Sequence, residues 1–81
     1  MTDDAEILAG FAEILKEATA GTAQNVTAEK SFVKDLDIDS LTMVEIAVLV
    51  ETKFGVKIPD NELVDLETVG DAVNYVSANS R

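Results

Sequence analysis

The 81-residue sequence predicts an all-α protein, a four-helix bundle with three long helices, one short helix and a long loop between the first two helices. Three segments carry apolar residues at the three- and four-residue spacing of a helix with one buried face. The chain has no cysteine, so disulfides cannot support the fold and packing must do so. Hydrophobic residues form 47% of the sequence, which suffices for one compact core, and we expect a single domain over residues 1–81.

The first helix is predicted from about Asp3 to Ala18. Asp3 is a candidate N-cap, with Glu6 three residues later, and Gly21 is expected to end the helix. The apolar residues on its expected buried face are Ile7, Leu8, Phe11, Ile14, Leu15 and Ala18.

The segment that follows, residues 22–39, has no regular apolar pattern. Val26, Phe32 and Leu36 are its expected anchors in the core. A loop of this length is uncommon in a small domain and is often functional.

The second helix is predicted from about Ser40 to Phe54, with Asp39 as its N-cap and Gly55 as its C-terminal stop. It carries two apolar stripes instead of one. The stripe suited to the core consists of Met43, Ile46, Leu49, Val50 and Phe54. The second stripe consists of Leu41, Val44 and Val48, with Glu45 among them and Glu51 nearby.

A helix buried on nearly all sides would also show two stripes. Glu45 favours exposure instead, because an unpaired buried carboxylate is costly. We therefore expect the second stripe to be a docking surface for a partner with a basic and apolar groove.

The last third of the chain is predicted to contain a short helix and a long one. Pro59 disfavours helix at the preceding residue, so an extended link is expected there. Asp60 is expected to cap a helical turn that continues to about Val64. The final helix is predicted from Thr68, which forms a capping box with Asp71, to about Ala78. Its expected buried residues are Val69, Ala72, Val73 and Val76.

The formal net charge of -10 argues against direct binding to nucleic acid or to anionic lipid, since both would be repelled. It favours partners with basic patches. Between Asp35 and Asp71 the chain has ten acidic residues and two lysines, so the negative charge surrounds and follows Ser40. No apolar run reaches the ~20 residues that span a bilayer, and we expect a cytoplasmic monomer without membrane insertion.

Catalysis by this chain is not expected. It has no histidine, the usual base for activating a serine, so Ser40 is not predicted to be a nucleophile that the chain itself activates. Asp35, Asp37 and Asp39 alternate like the first ligands of a calcium loop. The glycine and glutamate required later in that loop are replaced by Ser40 and Ile46, so no dedicated metal site is predicted.

The residues alone allow two interpretations of Ser40. It is either a residue that begins a helix or a point of attachment for a group added by another protein. The free N–H groups of a helix N-terminus favour a phosphodiester, whereas Asp37 and Asp39 oppose one electrostatically. A phosphate at Ser40 would therefore have to be held covalently.

Three motifs together resemble the acyl carrier proteins. They are Leu36-Asp37-Ile38-Asp39-Ser40-Leu41, Val44-Glu45 and Phe54-Gly55-Val56-Lys57-Ile58-Pro59-Asp60. The resemblance extends to Thr68-Val69-Gly70-Asp71, and the sequence is most similar to the free-standing carriers of type II fatty-acid synthesis.

The resemblance implies that Ser40 bears 4'-phosphopantetheine, with Asp39 and Leu41 completing the attachment motif. A holo-acyl-carrier-protein synthase would transfer this arm from coenzyme A. The chain would then be a non-catalytic carrier of growing acyl chains, held as thioesters. Its implied partners are the malonyl transferase, ketosynthases, reductases and dehydratase of fatty-acid synthesis. The implied recognition face toward their basic patches consists of Leu41, Val44, Glu45, Val48 and Glu51.

Three positions depart from the family pattern. Asp37 stands where glycine is usual, Thr42 where aspartate is frequent, and Thr52-Lys53 where many members have consecutive acids. These departures leave a polyketide carrier open. A non-carrier acidic adaptor, in which Ser40 only begins a helix, is the alternative of a different class.

Overall fold

The computed structural model describes residues 4–21, 23 and 25–79 and confirms the predicted all-α bundle. Its elements are α1 (Asp4–Ala18), α2 (Ser40–Phe54), α3 (Asp60–Leu63) and α4 (Val69–Asn79). Both α2 and α4 pack against α1, which places α1 at the centre of the bundle. The core forms where the apolar faces of these three helices meet, closed by residues of the long loop and of α3.

The predicted buried face of α1 is confirmed for the most part. Ile7, Phe11, Ile14 and Leu15 are buried, as is Gly10. The expected cap, Asp3, lies outside the described residues.

The end of α1 lies close to the predicted stop. The helix ends at Ala18, and the chain then turns through left-handed backbone at Ala20 and Gly21, where φ is 55° and 88°. The Gly21 N–H donates to the carbonyl oxygen of Lys16 at 2.7 Å, which satisfies one of the free carbonyls at the helix end.

α1 and α2 are in close contact at Gly10. A Cβ atom at this position would meet the ring of Phe54, so only glycine leaves room for that ring. The Phe54 ring also stacks on Phe11, with 5.9 Å between the ring centroids. On the surface above this contact, Lys53 Nζ lies 3.6 Å from Glu13 Oε1.

The prediction that Asp60 caps α3 is wrong. Pro59 occupies the N-cap position, with extended backbone at φ -63° and ψ 154°, and no side chain caps the helix. The fixed φ of proline suits the residue that leads into the helix, so Asp60 becomes the first helical residue. Its carboxylate still lies in the first turn, where the helix dipole favours a negative charge.

The capping box at the start of α4 is confirmed. The Asp71 N–H donates to Thr68 Oγ1 at 3.1 Å, and the Thr68 N–H donates to Asp71 Oδ2 at 3.2 Å. All four predicted core residues of this helix, Val69, Ala72, Val73 and Val76, are buried.

The long loop is fastened to the start of α4. The Phe32 N–H donates to Glu67 O at 3.0 Å, and the Val69 N–H donates to Lys30 O at 2.9 Å. Phe32 is buried, as predicted. The other expected anchors, Val26 and Leu36, are half-buried and pack against the core.

Candidate functional site

Ser40 is the first residue of α2, and its position is set by the residue before it. Asp39 has extended backbone, and its Oδ1 accepts a hydrogen bond from the Thr42 N–H at 2.8 Å. This interaction confirms the predicted N-cap. Ser40 therefore lies at a defined helix start instead of in a mobile turn.

Asp39 also places a stable negative charge beside Ser40. Its carboxylate accepts the Thr42 N–H, and this hydrogen bond to the charged form holds the pKa of Asp39 below its usual range. The Asp39 carboxylate is thus ionised at neutral pH and unsuited to taking a proton from Ser40.

Ile38 anchors the approach to the site, although it was not among the predicted anchors of the loop. It is 2% exposed, and its N–H donates to Phe32 O at 2.8 Å. The signal available in the sequence was a lone apolar residue between two acids, Asp37 and Asp39. Burying Ile38 fixes the chain two residues before Ser40.

Asp37 makes the turn that brings Ile38 into the core. Its φ is 55°, in the left-handed region that glycine adopts most easily. This is the position where the resemblance described above implies a glycine. Aspartate is among the residues that tolerate this conformation best, so the departure is compatible with the same turn.

The Ser40 hydroxyl is available to an external group. Ser40 is exposed, and none of the described residues forms a hydrogen bond with its side chain. A hollow of about 360 Å³ opens beside it, lined mainly by apolar side chains. The lining residues are Ser40, Met43, Val44, Asp60, Leu63, Val64 and Leu66. An exposed hydroxyl next to an apolar hollow fits a covalently attached arm with an apolar cargo.

The second stripe of α2 is exposed, as predicted. Leu41 is 74% exposed, Val44 49% and Val48 58%, values far above those of the core residues Ile46 and Val50. The remaining residues of the predicted core stripe, Met43, Leu49 and Phe54, are half-buried. Glu45 and Glu51 are exposed on the same helix. The predicted recognition residues thus lie on the exposed surface of α2, the helix that begins at Ser40.

Two of the three aspartates before Ser40 form hydrogen bonds with the backbone. Asp35 Oδ2 accepts the Ser31 N–H at 2.7 Å, and Asp39 caps α2. Within residues 4–21, 23 and 25–79, no group of acidic side chains is arranged to hold a metal ion. The described helices also include none long and apolar enough to cross a membrane.

A family described as "Phosphopantetheine attachment site" matches residues 5–76. This match covers α2, α3, nearly all of α1, most of α4 and the loop that leads to Ser40.

Curated relatives match 71 residues of the chain. The "Meromycolate extension acyl carrier protein" of Mycobacterium leprae is 62% identical over 71 residues, which are 88% of this chain and 62% of that protein. The protein of the same name from Mycolicibacterium aurum is 63% identical, over 88% of this chain and 73% of its own length. The "Acyl carrier protein" of Thermobifida fusca is 62% identical over 88% of this chain and 90% of its own length.

Proposed function

This chain belongs to the acyl carrier protein family and carries a covalently attached 4'-phosphopantetheine, and from that premise we propose that Ser40 is the attachment residue. The observation that supports this assignment is the exposed Ser40 hydroxyl at the start of α2, free of hydrogen bonds to the described residues. Ser31 is a weaker candidate, because its Oγ already accepts the Lys34 N–H at 3.1 Å.

The residues around Ser40 present its hydroxyl and keep it in place. Asp39 caps the helix and Ile38 is buried, so the backbone on the N-terminal side of Ser40 is held at two adjacent points. No histidine is present in the chain to activate the hydroxyl, so the enzyme that attaches the arm supplies the base. When bound, the arm supplies a terminal thiol on which acyl groups are held as thioesters.

We propose that the acyl groups belong to fatty-acid synthesis. Two kinds of relative support this proposal, those named for meromycolate extension and those named simply as acyl carrier proteins. The apolar hollow beside Ser40 offers room for hydrocarbon. The proposed partners are a holo-acyl-carrier-protein synthase and the malonyl transferase, ketosynthases, reductases and dehydratase of that pathway, which supply the catalysis.

The proposed partners would bind the surface formed by Leu41, Val44, Glu45, Val48 and Glu51. Its exposed aliphatic side chains would lose contact with water on binding, and its carboxylates would face basic side chains. Because such charges lie at the rim, they would mainly accelerate association and make it sensitive to salt.

Intact-mass spectrometry tests the attachment site. After incubation with coenzyme A and a holo-synthase, the unmodified chain is expected to gain the mass of one phosphopantetheine. Ser31→Ala, the matched control, is expected to gain the same mass, and Ser40→Ala none. A mass gain that persists in Ser40→Ala would show that the arm is attached to another residue.

A second measurement tests whether the acyl groups belong to fatty-acid or to polyketide synthesis. The loaded protein is expected to accept malonyl groups from a fatty-acid malonyl transferase faster than from a polyketide one. The reverse preference would favour a polyketide carrier. A wild-type chain that gains no mass at all would instead support the acidic adaptor.

A further inference from the structure

A second trough, of about 410 Å³, lies between α1 and α2 and begins one residue after Ser40. Leu41, Val44 and Val48 line it from α2, and Glu17 and Ala18 line it from α1. The exposed stripe of α2 is thus one wall of a two-sided groove. The residues of α1 were not predicted to contribute to recognition, because the sequence does not show which helix lies beside the stripe.

Each wall of this trough carries an exposed carboxylate. Glu17 lies on the α1 side and Glu45 on the α2 side. Within the described part of the chain, neither forms an ion pair. Both negative charges are therefore available to a partner.

The electrostatic character of the groove changes along its length. Beyond Leu49 lies a neighbouring hollow lined by Thr52 and Lys53, where the Lys53 Nζ lies 3.6 Å from Glu13 Oε1. This ion pair compensates the charge at the far end. Glu17 borders both parts of the groove, whereas Glu45 lines only the part that begins next to Ser40.

The enzyme that attaches the arm must reach this end of the groove. It has to bring the phosphorus atom of coenzyme A that bears pantetheine to the Ser40 oxygen. Enzymes that act on the thiol of the arm work at a distance from the serine. Coenzyme A is anionic and so is this chain, so the enzyme needs cationic side chains beside Ser40.

We propose that Glu17 is a specificity-determining residue for attachment of the arm. Together with Glu45, it binds cationic side chains of the transferase, which flank an apolar side chain seated between Leu41, Val44 and Val48. α1 is then the second wall of the docking surface. This inference rests on the proposed attachment of the arm at Ser40.

The reaction that this docking serves is a phosphoryl-group transfer. A bond forms between Ser40 Oγ and the phosphorus that bears pantetheine, while the pyrophosphate bond of coenzyme A breaks. Adenosine 3',5'-bisphosphate leaves, and the serine proton passes to a base of the transferase. Glu17 takes no part in this chemistry and acts only on binding.

The test compares Glu17→Lys with Glu67→Lys. Both substitutions change the net charge equally, but Glu67 lies in the segment before α4 and does not line the groove. With a holo-synthase and coenzyme A, kcat/KM for arm transfer at low salt is expected to fall about fivefold for Glu17→Lys. It is expected to stay within about 1.5-fold of wild type for Glu67→Lys. Raising the salt concentration should reduce the difference.

Misfolding is not expected to cause the loss of kcat/KM in Glu17→Lys. Glu17 lies in the last turn of α1, where the helix dipole disfavours a carboxylate, so Glu17→Lys is expected to melt at or above the wild-type temperature. Glu17→Gln, which keeps the shape and removes the charge, is expected to lose less activity than Glu17→Lys.

The outcomes separate this inference from the proposed function. Equal kcat/KM values for Glu17→Lys and Glu67→Lys, with normal loading of the wild type, would overturn the role of Glu17 alone. Failure of the wild type to load would overturn attachment itself.

Discussion

Asp37 holds the most unusual backbone conformation near the site. Its φ of 55° turns the chain so that Ile38 enters the core and Asp39 caps α2. A Cβ atom makes this left-handed conformation sterically unfavourable. The steric cost is smaller for aspartate than for most residues, but it is not zero. The cost is tolerated because the neighbouring contacts fix the turn.

This conformation leads to a prediction for two variants that lose the same charge. Asp37→Gly is expected to be more stable than Asp37→Ala by about 1 kcal/mol, because only glycine adopts the left-handed region without steric cost. The free energy of unfolding, measured in urea by circular dichroism, gives the difference.

Asp35 provides the matched control for the Asp37 pair. It lies in the same loop without a positive φ, and there alanine is expected to be at least as stable as glycine. The same order at both positions would show that the turn at Asp37 does not require left-handed backbone.

At the scale of elements, the contact between α1 and α2 depends on the absence of a side chain at Gly10. Gly10 leaves space that the Phe54 ring fills, and Phe11 stacks on that ring from the side of α1. The contact lies at the C-terminal end of α2, far along the helix from Ser40.

Gly10→Ala is expected to lower the free energy of unfolding by about 1 kcal/mol. Alanine favours the helix by ~1 kcal/mol, but crowding the Phe54 ring costs about 1–3 kcal/mol. In the background of Phe54→Leu, whose side chain is smaller, the sign should reverse. Urea unfolding of the four proteins measures both effects, and stabilisation in both backgrounds would contradict the crowding.

The helices were predictable because each has a local signal. The periodic apolar faces of α1 and α4, the Asp39 cap and the Thr68–Asp71 capping box all lie within a few residues of what they determine. The cap of α3 was mispredicted because Asp60 and Pro59 both suit a helix start, and the sequence does not say which one leads into it.

The site was only partly predictable for a related reason. Ser40 and the exposed stripe lie on one helix, so spacing alone could place them together. The burial of Ile38 and the position of Glu17 beside the stripe depend on how distant segments pack. No pattern within a single segment could indicate either one.

At the scale of the whole molecule, a charge of -10 on a small bundle works against compactness through mutual repulsion. Much of it comes from the ten exposed acids between Asp35 and Asp71, which lie in the loop before α2, in α2 and α3, and from the end of α3 into α4. The same charge attracts basic partners. The stability of the free chain is thus lower than its core alone would provide.

Magnesium chloride is expected to raise the melting temperature by about 5 °C, because cations that gather at the carboxylates reduce this repulsion. Thermal unfolding followed by circular dichroism measures the shift. Asp65→Asn/Glu67→Gln, with two fewer negative charges, is expected to melt higher without magnesium and to gain less from it. A melting temperature indifferent to magnesium in both proteins would contradict repulsion as the cause.

The hydrogen bonds between the long loop and the start of α4 have a consequence for the order of events during synthesis. Lys30 and Phe32 find their partners only when Glu67 and Val69 have left the ribosome. Until then, the segment that leads to Ser40 lacks the two hydrogen bonds that fasten it to the start of α4. The path of the chain before the serine is therefore complete only after the start of α4 has been made, so a shorter nascent chain presents Ser40 on an incompletely fastened loop.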